Sequence, residues 1–357
     1  MIVPVRHHQQ FHAASYAALG IAVISVSASG PLIAYAAAPA LAVAFWRNAM
    51  AIGLQAPWAV ARRGELAALA WGANRREGLF CVLAGVALAG HFATWVPSAK
   101  LTSVATATAL VATQPVWQGL IAAAQGMRLP VVTWVGIGLA VCGAAAATGV
   151  DLHAEGTAVL GDLLALAGGL LAACYTALGE RARVTTTTTA YTTVCYTVCG
   201  LILLGVCLVG GVPLGGYPTT AWIALAAITL GPQLLGHSLL SYSLRHIAAT
   251  TTSLVVLLEV PGAALLGWLW LDQRPRLASL PGLALLVAGV VLVIVADRRA
   301  ARATATLPVA PDGDPALSVT PARTAPARIT PDQRPSADSL AAQSADAAAG
   351  SAARGPG

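Results

Sequence analysis

The stretch Val184–Leu244, VTTTTTAYTTVCYTVCGLILLGVCLVGGVPLGGYPTTAWIALAAITLGPQLLGHSLLSYSL, runs for 61 residues without one charged side chain. A bilayer core takes about 20 apolar residues per helix, so this run is too long for one crossing. Gly210, Gly211, Pro213, Gly215, Gly216 and Pro218 cluster near its middle. Glycine permits tight turn geometry there and proline withholds a backbone donor, so the cluster marks a break. The run therefore reads as two membrane-spanning helices joined by a turn.

Working outward, the remaining chain has the same character. Of 357 residues, 57% are hydrophobic and 10% charged, with a mean hydropathy of +0.74. That balance excludes a water-soluble domain. Hydropathy predicts helices near 13–37, 40–59, 78–98, 102–124, 131–149, 160–179, 189–210, 219–243, 248–270 and 277–296. The expected fold is an all-α polytopic membrane protein with ten crossings. Residues 1–12 form a short N-terminal segment, and 150–159 an external linker that is acidic at Asp151 and Glu155. From Asp297 the composition turns to Ala, Pro, Thr, Ser and scattered charge without an aromatic residue. Such a segment buries too little apolar surface to fold, so 297–357 is read as a disordered cytoplasmic tail.

Charge sets the orientation. With the N-terminus inside, cytoplasmic segments carry Arg6, Arg62, Arg63, Arg75, Arg76, Arg128, Arg181, Arg183, Arg245, Arg298, Arg299 and Arg302, against Lys100, Arg274 and Arg276 outside. Cationic loops resist translocation, so both termini are expected in the cytoplasm of a multi-pass plasma-membrane protein. The first helix is too long for the ~7–15-residue apolar region of a cleaved signal, despite the Ala34-Tyr35-Ala36 site. The formal charge of +6 carries no basic stripe with interleaved aromatics, so no nucleic-acid partner is expected.

The two halves repeat. Gly90-His91 recurs as Gly236-His237, and Gly136 and Gly143 recur as Gly282 and Gly289, each at an offset of 146. Lys100-Leu101-Thr102 answers Arg245-His246-Ile247, and Gln114-Pro115 falls where Glu259-Val260-Pro261 does. Together these argue for a duplicated five-helix unit, 13–149 and 160–296. Because five is odd, the second copy enters the membrane from the opposite face. Inverted repeats place equivalent residues at one depth and suit alternating access to a central site.

Phe45-Trp46-Arg47, Gly161-Asp162-Leu163-Leu164-Ala165-Leu166 and the stretch Leu258 to Trp268 then give the chain a family likeness, with Leu271 to Pro275 and Gly282 to Gly289 closing it. In these stretches the chain resembles the EamA-type permeases of the drug/metabolite transporter superfamily, over residues 15–296. The resemblance implies ten helices, both ends cytoplasmic, and transport of small molecules, often outward. The loop departs from the family pattern, with Leu271-Asp272 in place of Gly-Glu and Gly126-Met127 in the first copy.

A charge at the bilayer centre costs about 2.5–3.5 kcal/mol on insertion scales, so each intramembrane ionisable group asks for a reason. Glu259, two residues before Pro261, is read either as a proton-titrating or cation-binding carboxylate or as a partner for backbone groups freed by the proline. Arg47 either holds an anionic substrate group, pairs with Glu259, or snorkels to the headgroups. His91 and His237 stand at equivalent positions, as a gate or proton relay or as interhelical hydrogen-bond donors. Trp95, Tyr242 and the other intramembrane aromatics either line a pocket for an apolar or cationic substrate or pack between helices. Gln114 is a further polar candidate. Pro115, Pro261, Gly136, Gly143, Gly282 and Gly289 are read as structural.

The cysteines lie inside apolar runs without metal-ligand spacing, so no metal and no cofactor is expected. The sole lysine, Lys100, is not in a phosphate-binding loop, and no hydrolase motif is present, so neither ATP-driven pumping nor enzymatic catalysis is expected. The expected function is a secondary transporter of a small molecule, coupled to a proton gradient if Glu259 titrates. The alternative is a non-transporting membrane scaffold that acts through its tail. A homodimer is compatible with the sequence, which does not require one.

Overall fold

The computed structural model describes residues 6–102, 104–148, 156–271, 277 and 280–305. Among these residues every regular element is a helix. The first expected span is two helices, α1 (Arg6–Ser27) and α2 (Ser29–Tyr35), meeting at Ala28. Next come α3 (Ala40–Ala61), the short α4 (Arg63–Trp71) and α5 (Arg75–Leu101). Hydropathy did not anticipate α4, whose length is far below a crossing. Trp58, near the end of α3, and Trp71, the last residue of α4, are 63% and 87% exposed, as amphipathic rings are at a membrane interface.

The expected fourth span is divided into α6 (Val104–Val111) and α7 (Gln114–Ala124), and the expected ninth into α13 (Ala249–Val256) and α14 (Glu259–Leu271). The divisions fall at 112–113 and 257–258, just ahead of Pro115 and Pro261. A proline there lacks the N–H that would continue the ladder, and its ring crowds the preceding turn. Between them lie α8 (Val131–Thr148), α9 (Thr157–Ala182), α10 (Thr188–Val209) and α11 (Thr219–Ile228). Then follow the π-helical stretch Thr229–His237, which contains Pro232, and α12 (Ser238–Ser243).

The last helix, α15 (Leu280–Ala305), continues past Asp297, where the sequence reading began the tail, and α1 starts inside the segment 1–12. Residues 306–357, 150–155 of the linker and most of the loop after Leu271 lie outside the described residues. Among the described residues, six stretches are long and apolar enough to cross a membrane: Ala14–Tyr35, Arg75–Leu101, Thr157–Ala182, Thr188–Val209, Thr219–Ser243 and Ala249–Leu266. Val131–Ala146 and Leu280–Ala296 are shorter apolar helices. The chain is a multi-pass membrane protein.

Packing follows the glycines. In lipid, helices associate through close van der Waals contact rather than water exclusion, so small residues mark where backbones approach. α8 lies on α15. A Cβ added at Gly143 would stand 2.7 Å from Gly282 O and 2.8 Å from Leu286 Cα; one at Gly289 would stand 2.6 Å from Gly136 O and 3.0 Å from Ala140 Cα. The two environments are copies, since subtracting 146 from Gly282 and Leu286 gives Gly136 and Ala140. The pairs run 136 with 289 and 143 with 282, so the helices are antiparallel.

The same reciprocity recurs elsewhere. α5 packs on α9 while α1 packs on the π-helical stretch and α12. Within those contacts Gly90 accommodates Leu171 of α9, and Gly236 accommodates Val26 of α1.

Tertiary hydrogen bonds define two ends. At one, Lys100 Nζ donates to Ala38 O at 2.7 Å and Ala36 O at 3.3 Å, and Trp46 Nε1 donates to Leu214 O at 3.0 Å. At the other, Glu65 accepts from Thr187 N and Thr187 Oγ1, both at 2.8 Å, beside the N-terminus of α10. There Arg183, 1% exposed, donates from Nε to Ser241 O at 2.9 Å, from a terminal nitrogen to Thr188 Oγ1 at 2.8 Å, and from the other to Thr186 O. Burial, with Arg245 nearby, draws its guanidinium down to about 10, still charged at neutral pH. The sequence assigned Arg183 only a topological role; it is also a structural clasp.

Candidate functional site

The two divided helices start again at the same place. Gln114 is the first residue of α7 and Glu259 the first of α14, and both line a cavity of about 80 Å³. Space of that size holds roughly five water molecules or a small organic group. Interrupting a membrane helix exposes backbone polar groups and a helix N-terminus at depth, which is tolerated where they face a cavity or a protein partner. Here Thr113 Oγ1 donates to Leu110 O at 2.7 Å across the first break. Gly169 of α9 admits that break, because a Cβ on it would stand 3.0 Å from Val111 O.

The walls come from both halves of the chain: His91 and Trp95 on α5, Gln114 and Pro115 on α7, Tyr175 and Thr176 on α9, His237, Thr252 on α13, and Glu259 on α14. The ring centroids of His91 and His237 are 6.4 Å apart. His91 Nδ1 donates to Gly168 O at 2.9 Å, since a carbonyl can only accept, and its ring stacks on Trp95 at 5.9 Å with a 5° interplanar angle. A neutral His91 then keeps Nε2 as an acceptor. His237 packs against Phe92 at 5.3 Å and Tyr175 at 6.0 Å.

Ser241 Oγ donates to His237 O at 2.7 Å, so at the 3.0 Å contact Tyr175 OH is the donor to Ser241 Oγ. Gln114 Nε2 donates to Thr176 Oγ1 at 3.0 Å, and Thr176 Oγ1 donates to Ala172 O at 2.7 Å. Trp95 Nε1 and His237 Nδ1 have no protein partner, so two polar atoms on cavity-lining residues remain for a ligand to satisfy.

Glu259, Gln114, His91, His237 and Trp95 are thus brought together. Tyr242 is not: it lies outside the lining, its ring 6.3 Å from that of His246. Pro115 sits in the wall, and Pro261 is two residues along α14 from Glu259. Arg47 stands behind the wall, fully buried, so it does not snorkel. Its Nε donates to Gln233 Oε1 at 2.7 Å, and its guanidinium carbon is 4.1 Å from the centroid of Phe92. Gln233 Nε2 donates to Asn48 Oδ1 at 3.1 Å, and Tyr196 OH donates to Gln233 O at 3.2 Å. Among the described residues Arg47 and Glu259 form no ion pair.

Sequence reasoning passed over Phe92, Gln233 and Asn48. Gln233 carried a signal, being the only amide in the charge-free run 184–244. Phe92 carried none beyond its place next to His91.

The chain is thus a multi-pass helical membrane protein with a mainly apolar cavity, walled by both halves of the chain and lined by a few polar side chains. Residues 159–295 match the EamA-like transporter family. The stretches Gly161 to Leu166 and Leu258 to Trp268 lie inside that match. A crystal structure of another protein, 17% identical, superposes with a TM-score of 0.66 over 80% of this chain and 98% of that one. At that identity the likeness speaks for the fold alone. No curated protein matches.

Proposed function

We propose that the chain is a secondary transporter that exports a small molecule across the plasma membrane by alternating access between two inverted five-helix halves, 13–149 and 160–296, with both termini cytoplasmic. The observation that carries this reading is the cavity itself, where the rings of His91 and His237 approach and Gln114 and Glu259 both line the wall, corresponding positions of the two halves. The reciprocal glycine pairs of α8 and α15 support the same two-fold relation. Arg62, Arg63, Arg75, Arg76, Arg181, Arg183 and Arg245 flank the end where Glu65 meets Thr187, which supports a cytoplasmic assignment for that end.

The substrate is a small molecule with an apolar or cationic body, recognised by the Trp95 and Tyr175 rings and the Glu259 carboxyl. Glu259 is the coupling group. Because a carboxylate is costly to keep charged in a closed cavity, it takes a proton or a cationic substrate in turn, and that exclusion links the two fluxes. The Gly169 contact and the breaks ahead of Pro115 and Pro261 supply half-helices that tilt without losing a continuous ladder.

The test uses purified chain in proteoliposomes, with amino acids, nucleobases, sugars and amphipathic cations first ranked by thermal shift. Accumulation driven by a pH gradient or by counterflow supports transport. A sample that accumulates none of the ranked compounds under either gradient polarity opposes it. Glu259→Gln is expected to abolish proton-driven uptake while counterflow persists; proton coupling that survives the change makes Glu259 structural.

A further inference from the structure

We propose that Arg76 and Arg181 form a headgroup site for one acidic phospholipid, on the lipid-facing side of the seam between α5 and α9. Arg76 is the second residue of α5 and Arg181 lies in the last turn of α9, two helices that pack on each other. Their guanidinium carbons lie 5.9 Å and 5.8 Å from the centroid of the same ring, Phe80. Two cations from different helices thus converge on one spot. At those distances cation–π attraction is near its limit, so the ring gathers the two groups without neutralising them.

No carboxylate takes that role. Among the described residues neither arginine forms an ion pair. Glu77 and Glu180 adjoin them in sequence, but consecutive helix residues point to different sides. Glu180 also accepts a hydrogen bond from Ala249 N, which holds it to α13. Both arginines are exposed, so there is room beside them for a ligand. Two planar forks of N–H donors match the oxygens of a phosphodiester.

The surface below the pair fits acyl chains. Leu79 and Leu83 follow Arg76 on its own face of α5 and are exposed; on α9, Leu178, Cys174 and Leu170 recede from Arg181 at helical spacing. Exposed apolar side chains on a membrane protein face lipid. Headgroup level is marked by α4, which seats Leu69 against Gly78 at the start of α5 and ends on the exposed Trp71. A basic cleft at headgroup level above an apolar seam selects an anionic lipid over a zwitterionic one. The inference does not rest on transport, since a chain that moves nothing still holds this lipid.

The full chain is placed in nanodiscs of phosphatidylcholine, alone or mixed with phosphatidylglycerol of the same acyl chains, and its melting temperature is followed by tryptophan fluorescence. Phosphatidylglycerol is expected to raise it by several degrees. The rise is expected to vanish in Arg76→Gln/Arg181→Gln and to persist in Arg63→Gln/Arg245→Gln, which removes the same charge from the same end of the molecule. Inorganic phosphate added to phosphatidylcholine discs at constant ionic strength is expected to give no rise. Native mass spectrometry of the unaltered chain, which needs no variant, is expected to show one retained phosphatidylglycerol, preferred over phosphatidylcholine about thirtyfold, as two guanidinium groups at an anionic headgroup imply. Absence of a rise, or equal retention of the two lipids, overturns the proposal. So does a rise that both double variants lose alike, which assigns diffuse attraction, or one that inorganic phosphate reproduces, which assigns a free anion.

Discussion

Replacing Gly143 by alanine tests the antiparallel contact between α8 and α15 at its tightest point. The added methyl would stand 2.8 Å from Leu286 Cα and 2.7 Å from Gly282 O, both backbone atoms that no rotamer change removes. Leu286 N lies closer still, and non-bonded heavy atoms rest at about 3.5 Å, so the helices must separate locally by about 1 Å. Overpacking of this kind costs about 1–3 kcal/mol, while the alanine returns about 0.5–1 kcal/mol through better helix propensity. The net expectation is a loss of about 1–2 kcal/mol. Gly138, on the same helix, has no atom within 4 Å of a built Cβ, so Gly138→Ala keeps only the propensity gain. Thermal or denaturant unfolding in detergent compares the two variants. The two-fold relation adds a third, since Gly289→Ala meets Ala140 and Gly136 as Gly143→Ala meets Leu286 and Gly282. Equal melting of Gly143→Ala and Gly138→Ala refutes the close contact. A harmless Gly289→Ala beside a damaging Gly143→Ala refutes the symmetry.

Three further substitutions probe other parts of the structure. Gly262→Ala drives its methyl into Ser27 Oγ of α1, a movable side chain, so the variant is expected to melt lower and the pair with Ser27→Gly to recover most of the loss in a double-mutant cycle. Lys100→Met strips donors from the carbonyls of Ala36 and Ala38 at a cost of about 1–3 kcal/mol, read as faster amide exchange over residues 36–40. Glu65→Ala frees Thr187 N and Oγ1 at the start of α10, with an expected loss of about 0.5–2 kcal/mol in the same unfolding assay.

The periodic part of the fold was legible because lipid imposes one rule on every crossing: apolar side chains outside and all backbone bonds satisfied within the helix. Val184–Leu244 yielded two long helical segments on that rule alone, with its break at the Gly/Pro cluster. Hydropathy is blind to interruptions within an apolar stretch, so it merged α6 with α7, α13 with α14, and α1 with α2, although Pro115 and Pro261 marked two of the three. It also missed α4, whose nine residues are set by the interface rather than by the bilayer core. At the site, the offset of 146 paired His91 with His237, and depth then brought them within 6.4 Å. Tyr242 shares a helix with cavity residues but looks away from them, a matter of rotation about the helix axis that charge and spacing do not encode. The burial of Arg47 was equally hidden, because its partners Gln233 and Phe92 come from other helices.

The central claim, that two like halves enter the membrane from opposite faces around one shared cavity, is open to a single topological measurement. In a variant whose native cysteines are replaced, one cysteine is placed at Ala73, ahead of α5, and in a separate chain at Gly215, ahead of α11; both positions are exposed. Intact cells and inverted vesicles are then treated with a membrane-impermeant maleimide. Opposed halves require Ala73→Cys to react only in the inverted vesicles and Gly215→Cys only in the cells. Reaction of both from the same side contradicts the account.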